Sequence, residues 1–125
     1  MPIGQNSVRR FLVVEDEVLV ALNLEDMLVD LGHTVVAVAA RVPQALALAE
    51  SSDFDLAVLD LNLSGTFTFP IADVLRRRGI PFMFATGHGA RGLPEEYRNE
   101  IILTKPYGIL ELEFAISCFV EVRTI

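Results

Sequence analysis

The sequence predicts an α/β domain, a doubly wound repeat of five βα units around a parallel sheet. Three observations carry this. Short runs that are apolar at consecutive positions, Phe11-Leu12-Val13-Val14, Leu56-Ala57-Val58-Leu59, Pro81-Phe82-Met83-Phe84-Ala85 and Ile101-Ile102-Leu103, suit strands buried on both faces. Segments with apolar residues at helical spacing alternate with them, which is the pattern of a βα repeat. Each run also stops on residues able to do chemistry: Glu15-Asp16, Asp60, Thr86 and Thr104-Lys105-Pro106. In open parallel sheets ligands bind outside the carboxyl ends of the strands.

The elements follow in order. Strand one is expected at about 9–14 and helix one at about 17–31, where Val20, Leu24, Met27, Leu28 and Leu31 recur at helical spacing and Gly32 supplies a stop. Val35-Val36-Ala37-Val38 reads as strand two. Helix two spans about 43–51, with Pro43 tolerated in its first turn. Strand three is 55–59, and a Gly-Thr-Phe-Thr-Phe-Pro loop leads into helix three at about 70–78, which ends before Gly79. Strand four is 81–85 and strand five about 101–104. A last helix starts near Pro106 and runs to the end. Between strands four and five the repeat falters: Gly87, Gly89, Gly92 and Pro94 crowd the place of helix four, so that helix should be short or irregular, with a turn or two at Pro94–Arg98.

With 125 residues, 52% of them apolar, the chain fits one domain with a proper core, and the whole of 1–125 is read as that domain. Any output then passes through another protein. The single cysteine, Cys118, reads as a small apolar helix residue and has no internal partner, which fits a reducing, cytoplasmic setting. Residues 1–10 lack the apolar core of a signal peptide, and no run approaches ~18 apolar residues, so no membrane role is expected. A formal charge of −7 argues against direct nucleic-acid binding. The one basic cluster, Arg76-Arg77-Arg78, sits at a helix C-terminus, where cations are favoured anyway.

Glu15, Asp16 and Asp60 converge if strands one and three are neighbours. Unit charges about 4 Å apart repel by about 4 kcal/mol at an effective dielectric of about 20. Alone, Asp16 reads as a helix N-cap and Asp60 as a loop acid; together at equivalent strand ends they suit a hard divalent cation such as Mg²⁺. Lys105 offers a point charge for a phosphate and Thr86 a hydroxyl at the same edge. His33 reads as a loop residue, and His88 lies near the site without a partner at metal-ligand spacing.

These positions resemble the receiver domains of two-component response regulators over essentially the whole chain. In that family an acid pair after strand one, an aspartate after strand three, Thr or Ser after strand four and Lys-Pro after strand five form the phosphoacceptor site. Here they are Glu15-Asp16, Asp60, Thr86 and Lys105-Pro106. The resemblance implies a flavodoxin-like sheet of strand order 2-1-3-4-5. It implies Asp60 as the nucleophile toward a phosphohistidine, and Mg²⁺ bound by Asp16, Asp60 and the Asn62 backbone carbonyl, with Glu15 acting through water. Lys105 and Thr86 would contact the phosphoryl oxygens. The run Pro81-Phe82-Met83-Phe84-Ala85-Thr86-Gly87 also resembles the PFxFATGY signature of a receiver subfamily, with His88 in place of the usual aromatic. By that resemblance the donor is a histidine kinase of HWE or HisKA2 type, or a histidine phosphotransfer protein.

Such a protein modifies itself and slowly reverses the modification; it is no turnover enzyme. Two other classes compete. A pseudo-receiver would signal without phosphate, against which the intact Asp16, Asp60, Thr86 and Lys105 speak. An aspartyl phosphatase usually needs a second acid beside its nucleophile, and Asn62 cannot serve. The last helix carries Ile109, Leu112, Ile116 and Phe119 as one stripe, with Leu110, Phe114 and Val122 partly outside it; so wide an apolar arc suggests a homodimer or partner contact. Receivers mostly carry Tyr or Phe three positions before the lysine, where this chain has Ile102. Switching is therefore expected in backbone order over residues 87–99, mobile until phosphate arrives.

Overall fold

The computed structural model describes residues 8–87 and 93–124. His88, Gly89 and Gly92 lie outside the described residues, as does the side chain of Val122. Five parallel strands form one sheet: β1 (Arg10–Val14), β2 (Thr34–Ala39), β3 (Leu56–Asp60), β6 (Phe82–Thr86) and β7 (Ile101–Thr104), with β4 (Asn62–Leu63) and β5 (Thr66–Phe67) forming a separate ribbon. The sheet order is β2-β1-β3-β6-β7, which is the expected 2-1-3-4-5 arrangement. The helices are α1 (Val18–Asp30), α2 (Val42–Ser51), α3 (Phe69–Arg78) and α4 (Ile109–Thr124).

Strand alternation assigns the two cores. Leu12, Val14, Ala57, Leu59, Phe82 and Phe84 pack with Ala45 and Ala49 of α2 and with Ile71, Ala72 and Leu75 of α3. Phe11, Val13, Leu56, Val58, Met83 and Ala85 point the other way, onto Leu24 and Leu28 of α1 and Leu112, Ala115 and Ile116 of α4. Every residue of β3 and β6 is buried. This is why those strands are apolar at successive positions rather than alternately, and why Asp60 is carried into the protein at the end of the most central strand.

The helix stops follow the glycines. Gly32 (φ 93°) lets the His33 N–H reach the Leu28 carbonyl at 2.9 Å, and Gly79 (φ 70°) lets the Ile80 N–H reach Leu75 at 2.9 Å. Both close a helix with a left-handed residue that a side chain would strain. The basic cluster at the end of α3 is structural in two of its three members. Arg78 Nη1 donates to the Ala49 and Ser52 carbonyls at the end of α2, and Arg76 pairs with Glu100 at 2.7 Å.

Four expectations need correction. The stretch after Asp60, read as a loop, contains the antiparallel ribbon of β4 and β5. Ser64 (φ 50°) and Gly65 (φ 95°) turn it, and Asn62 Oδ1 accepts the Gly65 N–H at 2.6 Å. Two central residues with positive φ are what a two-residue hairpin needs. The last helix begins at Ile109 rather than near Pro106. Glu111 accepts the Gly108 N–H at 2.8 Å while the Gly108 carbonyl accepts from Leu112, so Gly108 is the N-cap and Glu111 the reciprocal third residue of the helix.

The place of helix four holds a single 3₁₀ turn, Glu95–Tyr97, among the described residues. That segment is docked rather than loose. Leu93 and Tyr97 are buried, and Tyr97 stacks on Phe69 at 4.5 Å, lies under Arg76 at 4.6 Å and donates to Asp73 at 2.6 Å. Mobility expected across 87–99 therefore does not suit 93–97. Ile109, finally, is not in the inward stripe of α4 but 36% exposed, because it sits in the first turn, a full turn ahead of buried Leu112. Leu110 (74%) and Phe114 (71%) stand in solvent on the outer face. No described helix is long and apolar enough to cross a membrane.

Candidate functional site

The strand ends bring the expected residues to one edge. β1 and β3 are direct neighbours, with Val14 opposite Leu59, so Glu15 and Asp16 follow β1 beside Asp60. A carboxylate oxygen from each of Glu15, Asp16 and Asp60 lies within 4.8 Å of the other two. Lys105 joins them from the end of β7, its backbone N–H held at 2.8 Å by the Thr86 carbonyl. Its ammonium stands 3.0 Å from Glu15 Oε1 and 3.4 Å from Asp60 Oδ2. Thr86 ends β6 and is buried.

Burial and charge act together here. Desolvation first, and then repulsion from Glu15, pushes the Asp60 carboxyl up to about 6, with Lys105 pulling it the other way. Burial opposes the Lys105 charge, but Glu15 and Asp60 outweigh it and hold that ammonium above its ordinary value. Asp16 moves in the other direction: a hydrogen bond from Ser64 holds its carboxyl below the usual value, against a smaller opposing effect of burial. The site thus has one reluctant carboxylate, deep and central, flanked by a stable one near the surface.

Asn62, expected to offer its backbone carbonyl, is exposed in β4 opposite Phe67. The Thr68 N–H bonds the Leu61 carbonyl, so by the alternation of antiparallel pairs Asn62 and Phe67 form a non-hydrogen-bonded pair. The Asn62 carbonyl consequently points away from the ribbon partner. Its side chain is occupied by the turn. His33 lies in the connection between α1 and β2, as expected, and is not surface-exposed. It is buried against the Phe11 ring, accepts the Arg9 N–H at Nδ1, and its pKa is lowered, chiefly by desolvation and then by Arg9. It stands beside the start of β2, at the end of the sheet away from the acids.

Three further residues belong to the site. Thr68, fully buried, donates its hydroxyl to the Asp60 carbonyl at 2.7 Å and so fixes the Asp60 backbone. Ser64 donates to Asp16 Oδ2 at 2.5 Å. Tyr107 is half-buried, and its phenol is pushed up to about 12 by burial and then by the charges of Glu15 and Asp60. Only Tyr107 had a sequence signal, its place directly after Lys105-Pro106. Thr68 sits in the Gly65–Pro70 stretch read as a loop, and Ser64 directly precedes it.

As a donor set, the three carboxylates are hard oxygen ligands, which suits Mg²⁺ and not a soft metal. The adjacent ammonium suits the oxygens of a phosphoryl group.

Comparison with known proteins gives the same picture. The model of the response regulator receiver domain matches residues 11–116. The solution structure of SdrG from Sphingomonas melonis Fr1 shares 37% identity at a TM-score of 0.81, covering 90% of this chain and 97% of that one. The PhyR receiver domain of Erythrobacter litoralis shares 28% identity at a TM-score of 0.78, covering 92% of each chain. The transcriptional regulatory protein PdtaR of Mycobacterium tuberculosis is 30% identical over 125 residues, covering 94% of this chain but 61% of that protein, so this chain spans only part of PdtaR's length. With the parallel sheet, the acid cluster and the lysine already at one edge, these matches establish that the chain belongs to the response regulator receiver family, the signalling domains of two-component systems.

Proposed function

We propose that this receiver accepts a phosphoryl group on Asp60 from a phosphohistidine of a sensor kinase or histidine phosphotransfer protein. The observation that carries the reading is the position of Asp60: buried at the end of the central strand, 3.4 Å from Lys105, with two more carboxylates beside it. An Asp60 oxygen attacks phosphorus, the phosphorus–nitrogen bond breaks, and the departing imidazole nitrogen keeps the electron pair and takes up a proton. The product is an acyl phosphate. Lys105 holds charge on the phosphoryl oxygens and the Thr86 hydroxyl donates to one of them.

Asp16, Asp60 and the Asn62 carbonyl would hold Mg²⁺, with Glu15 acting through water. When bound, the ion draws off charge from the transferring group. Thr68 keeps the Asp60 backbone fixed while its side chain reacts.

The run Pro81–Gly87 supports placement in the PFxFATGY subfamily and, with it, a kinase of HWE or HisKA2 type. All of residues 1–125 would serve this one function, in the cytoplasm, where such kinases present their phosphohistidine. The chemistry is self-modification followed by slow self-hydrolysis. The direct test is the intact mass of the protein after incubation with acetyl phosphate. Gain of one phosphoryl group with Mg²⁺ and none with EDTA is expected. No gain in the folded protein would return the chain to the pseudo-receiver reading, a surface that signals without phosphate.

Output by protein contact has a candidate surface in α4. Leu110 and Phe114, one helical turn apart and 74% and 71% exposed, border a groove of about 500 Å³ against Ile101, Ile102 and Thr104 of the edge strand β7. A second copy of the chain is the occupant this reading assigns to the face, a twofold contact covering the Phe114 rings of both copies at once. Phe114→Ser should shift sedimentation toward monomer, and equal sedimentation of the two proteins would exclude this face as a self-contact.

A further inference from the structure

Ser64 occupies a position that its own chemistry disfavours. The two-residue turn between β4 and β5 requires positive φ at both Ser64 and Gly65, and they adopt 50° and 95°. Asn, Asp or Gly fill the first of these positions readily; serine does so at a conformational cost. Such an outlier is maintained when the surroundings use it.

Asp16 is what uses it. The hydroxyl of Ser64 donates to Oδ2 of Asp16, 48 residues earlier in the chain, at 2.5 Å, the length of a hydrogen bond to an ionised carboxylate. The turn itself does not need that bond. Its closure is supplied by Asn62 Oδ1 on the Gly65 N–H and by the Leu63–Thr66 pair. Asp16, by contrast, lies half-buried just past the end of β1, and no other hydroxyl or cationic side chain donates to it among the contacts described. A carboxylate has about four acceptor sites, so one hydroxyl leaves the remainder free for a cation.

We propose that Ser64 is a positioning residue of the cation site: its hydroxyl, carried on the β4–β5 turn, holds the Asp16 carboxylate in the orientation in which it meets a divalent cation shared with Asp60. The inference rests on the cation reading of the acid cluster and names the residue that tunes it. It also gives the ribbon a purpose. Because Thr68 ties the far end of the same ribbon to the Asp60 carbonyl, one short hairpin fixes both acids, Asp60 through its backbone and Asp16 through its side chain. Outer-sphere hydrogen bonds of this kind typically change metal affinity by about 10- to 100-fold.

The test separates hydroxyl from backbone. Ser64→Gly removes the hydroxyl and relieves the positive φ; Ser64→Ala removes the hydroxyl and keeps the strain. Mg²⁺ binding to the purified protein is measured by titration calorimetry, and thermal unfolding in EDTA reports the metal-free fold. Both variants should bind Mg²⁺ about tenfold more weakly than the parent, although their metal-free stabilities move apart, Ser64→Gly standing above Ser64→Ala. Unchanged or tighter binding in both would overturn the proposal. So would affinity that follows stability, normal in Ser64→Gly and weak in Ser64→Ala, since the turn alone would then be responsible. Parent protein that takes up no Mg²⁺ would overturn the cation reading itself, a different failure with a different signature.

Discussion

Asp60→Asn is expected to take up no phosphoryl group from any donor, to keep the fold, and to be more stable than the parent above about pH 6. The first expectation follows from the nucleophile: an amide oxygen cannot displace a phosphohistidine. The last follows from the site's electrostatics. Burial and Glu15 raise the Asp60 carboxyl from 3.8 to about 6, so between these values the folded protein binds more protons than the unfolded chain. Stability contributed by that proton is present below the unfolded pKa and is lost as pH rises through the folded one. The amide of the variant never ionises and escapes the loss. The gain should be present at neutral pH and fade as pH falls from about 6 toward 3.8. Urea unfolding of both proteins across the window checks it, and a variant less stable than its parent at neutral pH would mean that Lys105 more than compensates the buried charge.

Lys105→Ala is the second large effect. The ammonium stands 3.0 Å from Glu15 and 3.4 Å from Asp60, and these acids have 4% and 11% of their side-chain surface exposed. Without it two buried carboxylates repel with no counter-charge. Breaking such an arrangement from one side is destabilising by about 3 kcal/mol. The loss should be largest near neutral pH and in EDTA. It should shrink as pH falls toward about 6, over a window above the parent's value, because Asp60 freed of Lys105 takes up its proton at higher pH and the repulsion then ends. Phosphorylation at saturating Mg²⁺ should slow by roughly 10²- to 10³-fold, the usual effect of deleting a group that holds developing charge. A stability loss independent of pH would assign the role of Lys105 to packing of its aliphatic stem.

The parts legible in the sequence were those fixed by local rules. Doubly buried strands read as continuous apolar runs, and Gly32 and Gly79 marked helix ends because only a left-handed residue lets the following amides turn back. The site residues were legible for a topological reason: in a parallel sheet every strand delivers its last residue to the same edge. What escaped depended on partners distant in sequence or on competition between local signals. Pro106 looked like a helix start, but the cap belongs to Gly108 and Glu111. The glycine-rich approach to Tyr97 looked loose, but Phe69 stacks on its ring and the Arg76 guanidinium lies over it. The ribbon after Asp60 was hidden because a Ser-Gly turn is a weak hairpin signal, and with it went Ser64, whose partner is 48 residues away.

The central claim is that Asp60 alone carries the phosphoryl group, and chemical mapping of the modified protein tests it most directly. Borohydride reduces an aspartyl acyl phosphate to homoserine, which tandem mass spectrometry locates in the sequence. After treatment with acetyl phosphate and Mg²⁺, homoserine is predicted at position 60 and nowhere else. Homoserine at position 16, or a phosphoryl group that survives borohydride on Thr86 or any other hydroxyl, would contradict it.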